Sequence, residues 1–334
     1  MTRPAHGTRS ASGPTRHVAP GDLIERALTR RAPLADAGTT AYRLLHRDAD
    51  GTPGLTLDRF GACLVANLYD GLAPEPALLE AARAKIGAEA VYVKRRPAQA
   101  SRLTAEARAA LAPATPAVGQ AVDETVVAEN GIAYEIRPGT GLSVGLFLDM
   151  RDVRAAVRAL APGRRVLNCF AYTCAFGVAA ALGGATEVVN VDVSQSVLAW
   201  GRRNYALNGL ATRAEDFIFG DVFDWLSRFG RKHRAFDLVI VDPPPFATTK
   251  TSRFSITRDL GRLTALAATC LGPGGQLLMC ANAAELPQAA FERAVLSDLT
   301  GARPRIERRW HEPNLDFPRP RELPPYLKVA LITP

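Results

Sequence analysis

Cysteine is scarce in this chain, and so are methionine, histidine and aromatic rings. The 334 residues hold five cysteines, three methionines, five histidines and only 7% aromatics. Cys63, Cys169, Cys174, Cys270 and Cys280 are odd in number, scattered and mostly in apolar context. That argues against a disulfide framework or a zinc site, and for a reducing, cytoplasmic setting. No apolar run approaches the ~20 residues of a membrane span, so no membrane is expected as a partner. The opening MTRPAHGTRSASGPTRHVAPG has basic residues but no apolar core, so it does not read as a secretory leader. The glycines of a G-x-G-x-x-G turn are also missing from the stretch where they would matter.

What is present is a core and a positive charge. With 47% hydrophobic residues, the chain can bury one large or two ordinary domains. Net charge is +8, which favours a polyanionic partner such as RNA. The charge is clustered. Arg3, Arg9, Arg16, Arg26, Arg30 and Arg31 stand against Asp22 and Glu25 at the start. Arg228, Arg231, Lys232, His233 and Arg234 form a second group, and Lys250, Arg253, Arg258 and Arg262 a third.

Taken in order, residues 1–21 read as a basic flexible arm with Pro, Gly and Ser. Residues 22–118 read as a small α+β domain: a helix over 22–32, strands over 42–48, 55–60, 63–69 and 90–94, and helices over 77–86 and 99–111. Residues 119–138 form a connector whose Asn130-Gly131 is a strong hairpin signal between two β-prone runs. From 139 to 334 strands and helices alternate, which predicts a doubly wound, mostly parallel sheet. Residues 305–310 and 326–332 are expected to close it as an antiparallel pair, joined by a proline-rich surface loop.

Val166 to Asp192 is the centre of that larger unit. Its sequence, VLNCFAYTCAFGVAAALGGATEVVNVD, reads as strand, tight turn, Ala-rich helix and a second strand ending in an acid. An acid about 20 residues after the first turn is placed to accept from ribose hydroxyls. Without glycines the turn cannot bring backbone close to a pyrophosphate. A nucleoside without phosphates, above all S-adenosylmethionine, fits better than a nicotinamide dinucleotide. Asp192, Asp221 and Asp242 each follow a predicted strand, where open α/β sheets bind ligands.

These positions suggest roles. Asp192 holds the ribose, and Asp221 the adenine amino group with Val222 or Phe223 beside it. Phe170, Tyr172 and Thr173 shape the turn over the methionine part. Methyl transfer from a sulfonium needs no metal. It needs an in-line nucleophile, a dry pocket and a proton acceptor. Asp242-Pro243-Pro244-Pro245-Phe246 suits the acceptor side. Asp242 can polarise the nucleophile, proline carbonyls can accept from a base amino group, and Phe246 can stack on an extruded base.

The chain resembles the bacterial large-subunit ribosomal RNA methyltransferases, the family that includes the 5-methylcytosine and 7-methylguanine enzymes of 23S rRNA. The matching runs are Gly145-Leu146-Phe147-Leu148-Asp149-Met150-Arg151, Leu167-Asn168-Cys169-Phe170-Ala171-Tyr172-Thr173, Val191-Asp192-Val193-Ser194 and Asp242-Pro243-Pro244-Pro245-Phe246. The run from Asp50 to Gly61 resembles the small domain that precedes the catalytic domain in the cytosine enzymes. The resemblance implies a class I Rossmann-like fold and an RNA substrate. It also adds Asp149, Arg151, Asn168, Val193 and Ser194 to the cofactor site.

The chain departs from the family in three places. The turn has Thr173-Cys174 where the family usually has Thr-Gly. Only ~20–40 residues stand where an RNA-binding module of the pseudouridine-synthase-associated type is expected, too few for such a domain. The third departure is at the thiol that the cytosine enzymes need. Counted from Gly274-Gly275, its place falls on Asn282, with Cys280 two residues earlier. Asn282 as a base contact points to direct methylation of a base nitrogen. Cys280 as nucleophile would point to 5-methylcytosine instead. A small-molecule methyltransferase and a non-catalytic RNA-binding assembly factor are the other readings, and the oligomeric state is open.

Overall fold

The computed structural model describes residues 18–69, 71–97, 104–248, 253–300 and 303–334. Most of the expected basic arm, the start of the helix expected over 99–111, and Lys250 lie outside these residues.

A first sheet grows from β1 (Ala41–His46), β2 (Leu55–Phe60), β3 (Cys63–Tyr69), β4 (Ala90–Arg96) and β5 (Val118–Gly119). Helices α1 (Pro20–Asp36), α2 (Pro76–Ile86) and α3 (Ala105–Ala110) interleave with it. The strands lie in chain order. Only β3 and β4 run parallel, because α2 carries the chain back across the sheet between them. One face packs Leu64, Ala66, Leu68, Val91 and Val93 against Ile24, Leu78 and Leu79 of the helices. The opposite face, with Val65 and Tyr92, turns toward the rest of the molecule. Strand alternation puts Asn67, Lys94 and Arg96 on that second face too.

The hairpin β6 (Thr125–Glu129) and β7 (Ile132–Ile136) closes through Asn130 and Gly131, both with positive φ, as the sequence predicts. The chain continues through α4 (Arg151–Leu160), β8 (Arg165–Cys169), α5 (Ala175–Leu182), β9 (Glu187–Asp192), α6 (Gln195–Leu207) and β10 (Phe217–Phe219). Then come α7 (Val222–Arg231), β11 (Phe236–Val241), β12 (Phe246–Thr248), β13 (Arg253–Ser255), α8 (Ile256–Ala268), β14 (Leu271–Asn282), α9 (Gln288–Ser297), β15 (Arg305–Trp310) and β16 (Leu327–Thr333).

The second sheet has the order β10-β9-β8-β11-β14-β16-β15. Its first five strands are parallel, and β16 and β15 are antiparallel additions. This is the α/β class expected: doubly wound, mostly parallel, with an antiparallel close. Strand order reverses between β8 and β11, so the ligand crevice opens beyond their carboxyl ends.

Two details differ from expectation. The proline run at 243–245 leaves the sheet and feeds a small hairpin, β12 with β13. The loop between β15 and β16 is more than a surface connection: Glu312, Asp316 and Phe317 are buried in it. Both Asp316 oxygens accept from Arg151 at 2.8 Å, and Oδ2 also accepts from the Arg43 backbone N–H at 3.2 Å. Arg43 lies over the Phe317 ring at 4.4 Å. A buried carboxylate holding two elements in this way clamps the loop across the two sheets.

Candidate active site

The turn after β8 is built from unusual backbone. Phe170, Tyr172 and Cys174 all have positive φ, at 57°, 48° and 60°. Each costs a non-glycine residue on the order of 1–3 kcal/mol, so the surroundings must hold them. The Ala171 backbone N–H donates to Val191 and that of Tyr172 to Asp192 Oδ2 at 2.9 Å. The Thr173 hydroxyl donates to the Gly145 carbonyl at 2.6 Å. Cys174 opens α5 in the conformation a glycine would take freely. A Cβ on Gly201 of α6 would lie 2.4 Å from its Sγ. Gly201 therefore leaves the space that the Cys174 side chain fills.

Asp192 is fixed by the same turn. Its second oxygen accepts from the Ser194 backbone N–H at 2.9 Å. Burial raises its carboxyl above the usual range, and the N–H groups of Tyr172, Ser194 and Val193 oppose that shift. Opposite the turn, residues 143–149 form the other wall. Gly145 sits at φ 125°, and a Cβ there would meet the Trp200 ring at 2.6 Å and the Glu135 carbonyl at 2.8 Å. Arg154 braces this wall from below. It pairs with Glu129 at 2.7 and 2.6 Å, both bonds buried, and donates to the Phe147 carbonyl at 2.8 Å in a part-buried bond.

A cavity of about 490 Å3 lies between the turn, this wall and the end of β11, within the range typical for small ligands. Its lining is largely apolar, with carboxylates at Asp149, Asp192 and Asp242. Asp149 Oδ2 accepts from Tyr326 Oη at 3.0 Å, and Asn282 Nδ2 stands 3.5 Å from it. Burial pushes the Asp149 carboxyl up, with Arg43 and the Tyr326 hydrogen bond opposing. Asp242 is pushed up to about 7, first by burial and then by the Asp149 carboxylate, with Arg154 opposing. A carboxyl raised by burial and by a second carboxylate marks a place where a cation is welcome.

Of the residues expected from sequence, Asp149, Phe170, Tyr172, Thr173, Asp192, Val193, Asp242, Pro243, Pro244 and Asn282 line this cavity. The others stand elsewhere. Arg151 is committed to Asp316. Asn168 is buried in the sheet and donates to Asn190. Ser194 caps α6 by accepting from Val197. Asp221 caps α7 by accepting from Phe223 at 2.8 Å, and Val222 packs in the core behind it. Phe246 is 64% exposed at the start of β12, next to the lining Pro245. Sequence reasoning missed Gly145, Phe147, Met150, Arg154 and Phe176 of the lining. The run from Gly145 to Arg151 that matches the family carried Gly145, Phe147 and Met150, while nothing in the sequence pointed to Arg154 or Phe176.

Comparison with known proteins settles the family. The model of the S-adenosylmethionine-dependent methyltransferases matches residues 43–301. The chain belongs to this family. A Deinococcus radiodurans ribosomal RNA large subunit methyltransferase is 36% identical over 300 residues, 86% of this chain and 71% of that protein. An Aeromonas hydrophila ribosomal RNA large subunit methyltransferase I is 36% identical over 263 residues, 77% of this chain and 65% of that one. The chain thus spans about two thirds of the length of these relatives. The solved SMU.776 methyltransferase, complexed with SAH, superposes with a TM-score of 0.84 at 28% identity, covering 94% of this chain and 80% of that one. An Agrobacterium tumefaciens SAM-dependent methyltransferase shares the fold, with a TM-score of 0.64 at 18% identity.

The cavity fits the methyl donor of the family. Its apolar walls suit adenine and the methionine chain, the Asp149 and Asp242 carboxylates suit a sulfonium, and Asp192 suits a ribose. When bound, the cofactor supplies an activated methyl group. Among the described residues no group of three or more His, Cys, Asp or Glu is placed to hold a metal. No helix among them is long and apolar enough to cross a membrane.

Proposed function

We propose that the protein transfers the methyl group of S-adenosylmethionine to a base nitrogen of large-subunit ribosomal RNA. The RNA assignment rests on the relatives from D. radiodurans and A. hydrophila, whose names carry that substrate, and on the basic charge of the chain. The choice of nitrogen rests on one observation. Asn282 lines the cavity beside Asp149 and Asp242, whereas Cys280 is fully buried in the core under the sheet. Burial and the neighbouring Asp242 carboxylate push the Cys280 thiol well up, the opposite of what a nucleophile needs.

In this reading a base enters between the proline run and Asn282, with Phe246 available to stack on it. Carbonyls of Pro243 and Pro244 accept from its amino group. The nitrogen lone pair forms the new N–C bond as the C–S bond breaks. Where the nitrogen carries a proton, Asp242 takes it; a carboxyl near 7 is matched to that task. Asp192 anchors the ribose of the donor, and Asp149 holds the sulfonium side. Asn168, Arg151, Val222 and Ser194 act through the elements that carry the lining residues, and Asp221 caps α7 beside them.

The test is methyl incorporation from labelled S-adenosylmethionine into deproteinised large-subunit rRNA taken from a strain lacking the gene. Incorporation by the native chain and by Cys280→Ala is the expected result. Label appearing only in a small-molecule extract, with none in RNA, would replace the RNA reading with a metabolite methyltransferase.

A further inference from the structure

A second, smaller cavity adjoins the first and belongs to none of the roles above. It measures about 90 Å3, room for a few waters or a phosphate group rather than a base. It lies between the inner face of the first sheet and residues 142–149. Ser143, Leu146, Phe147, Asp149 and Tyr172 line both cavities. Its charged and amide lining is Arg43, Asp58, Asn67, Arg96 and the shared Asp149.

Two guanidiniums, Arg43 and Arg96, face two carboxylates, Asp58 and Asp149, and among the described residues only Arg43 is directly paired. Arg43 is neutralised by Asp58, which it meets at 2.7 and 3.1 Å. Asp58 also accepts from Asn67 at 2.9 Å. Arg96 donates only to neutral oxygens, Asn67 Oδ1 at 2.9 Å and the Leu142 carbonyl at 2.6 Å. No carboxylate among the described residues pairs with it. Two positions earlier on β4 and on the same face, Lys94 is fully buried. Its ammonium has no hydrogen-bond partner among the described residues. Burial, and then the Arg96 charge, push Lys94 down to about 8. A buried ammonium 5.7 Å from the centre of the Tyr92 ring, beside a guanidinium with no carboxylate partner among the described residues, costs folding free energy, and a bound anion would relieve both. Guanidinium geometry suits phosphate oxygens.

We propose that this cavity is the phosphate subsite of the acceptor, with Arg96 contacting a backbone phosphodiester next to the target nucleotide and Lys94 supporting it from behind. The proposal rests on the reading of the acceptor as RNA. A phosphate held here sets the reach of its base into the neighbouring cavity, past the shared Tyr172 and Phe147. The small sheet thereby becomes part of acceptor positioning, and no base need be recognised by it.

The test compares the native chain with Arg96→Gln and Lys94→Met, using deproteinised large-subunit rRNA from the deletion strain. Arg96→Gln should raise KM for the RNA at least about tenfold, leave S-adenosylmethionine affinity by calorimetry unchanged, and flatten the salt dependence by about one phosphate contact. Lys94→Met should raise KM while raising Tm by about 2 °C or more, because a buried unpaired charge is removed. Unchanged KM and salt slope in both variants would overturn the proposal. So would a Lys94→Met chain with lowered Tm and native KM, which marks a purely structural lysine. A native chain that binds S-adenosylmethionine but labels no RNA removes the RNA reading itself and this subsite with it. Label in a carboxylate-bearing metabolite that depends on Arg96 would assign the anion to a small molecule instead.

Discussion

Two cavities meet at Phe147, Asp149 and Tyr172, and they differ in the charged groups they add to that shared wall. The larger is apolar with carboxylates, of which Asp149 helps burial push the Asp242 carboxyl up. The smaller is polar, with Arg43 and Arg96 facing Asp58 and Asp149, no carboxylate among the described residues paired directly with Arg96, and a buried ammonium behind it. The larger welcomes a cation, and in the smaller the Arg96 and Lys94 side is the part an anion would meet. Their shared wall, residues 143–149, is held by the buried Arg154–Glu129 pair and by Gly145 packed on Trp200. A methyl donor and an anionic acceptor can therefore be held on opposite sides of one rigid segment.

The largest expected effect comes from removing the carboxylate nearest the acceptor. Asp242→Asn should lower turnover by about 10²- to 10⁴-fold, measured as single-turnover methyl transfer. It should also change stability in a predictable direction. Asp242 is pushed from an ordinary 3.8 to about 7 in the folded chain, so the folded state holds the proton more tightly than the unfolded. Its contribution to stability is thus lost as pH rises from about 4 to about 7. Denaturant titrations should show that slope in the native chain and a flatter one in Asp242→Asn. Next in size, Asp192→Ala should weaken S-adenosylmethionine binding by about 100-fold, the value of two charge-assisted hydrogen bonds. Calorimetry showing native affinity would move the ribose elsewhere.

The cation side was the legible one. A β-branched strand, an Ala-rich helix and a terminal acid have a period and an order, and Val166 to Asp192 displays all three. The anion side has no such pattern. Arg96 and Asn67 meet because α2 returns the chain so that β3 and β4 pair in register. That pairing joins residues 29 apart, at no characteristic spacing. Asp316 was hidden for a similar reason, since prolines around it read as surface while a carboxylate 165 residues from Arg151 is buried against it. Asp221 shows the converse. A strand-end acid looks like a ligand contact in sequence, and the structure shows that Asp221 also caps α7 through Oδ1, a role the sequence did not suggest.

Cys174 is the residue where strain and packing can be separated. Gly201→Ala should destabilise by about 1–3 kcal/mol, because the added carbon meets the Cys174 sulfur. Adding Cys174→Gly should recover most of that loss, since it clears the contact and relaxes a left-handed residue. Additive losses in the double variant, read from denaturant midpoints, would show that the two side chains do not share the space. The smallest expected effect on catalysis is that of Cys280→Ala, which removes a core thiol and should leave turnover unchanged with a modest fall in stability.

That last variant leads to the most direct measurement, mass spectrometry of the nucleosides in rRNA methylated by the native chain and by Cys280→Ala. The account predicts the same nitrogen-methylated nucleoside in both. A 5-methylcytidine product that disappears with Cys280 would contradict it.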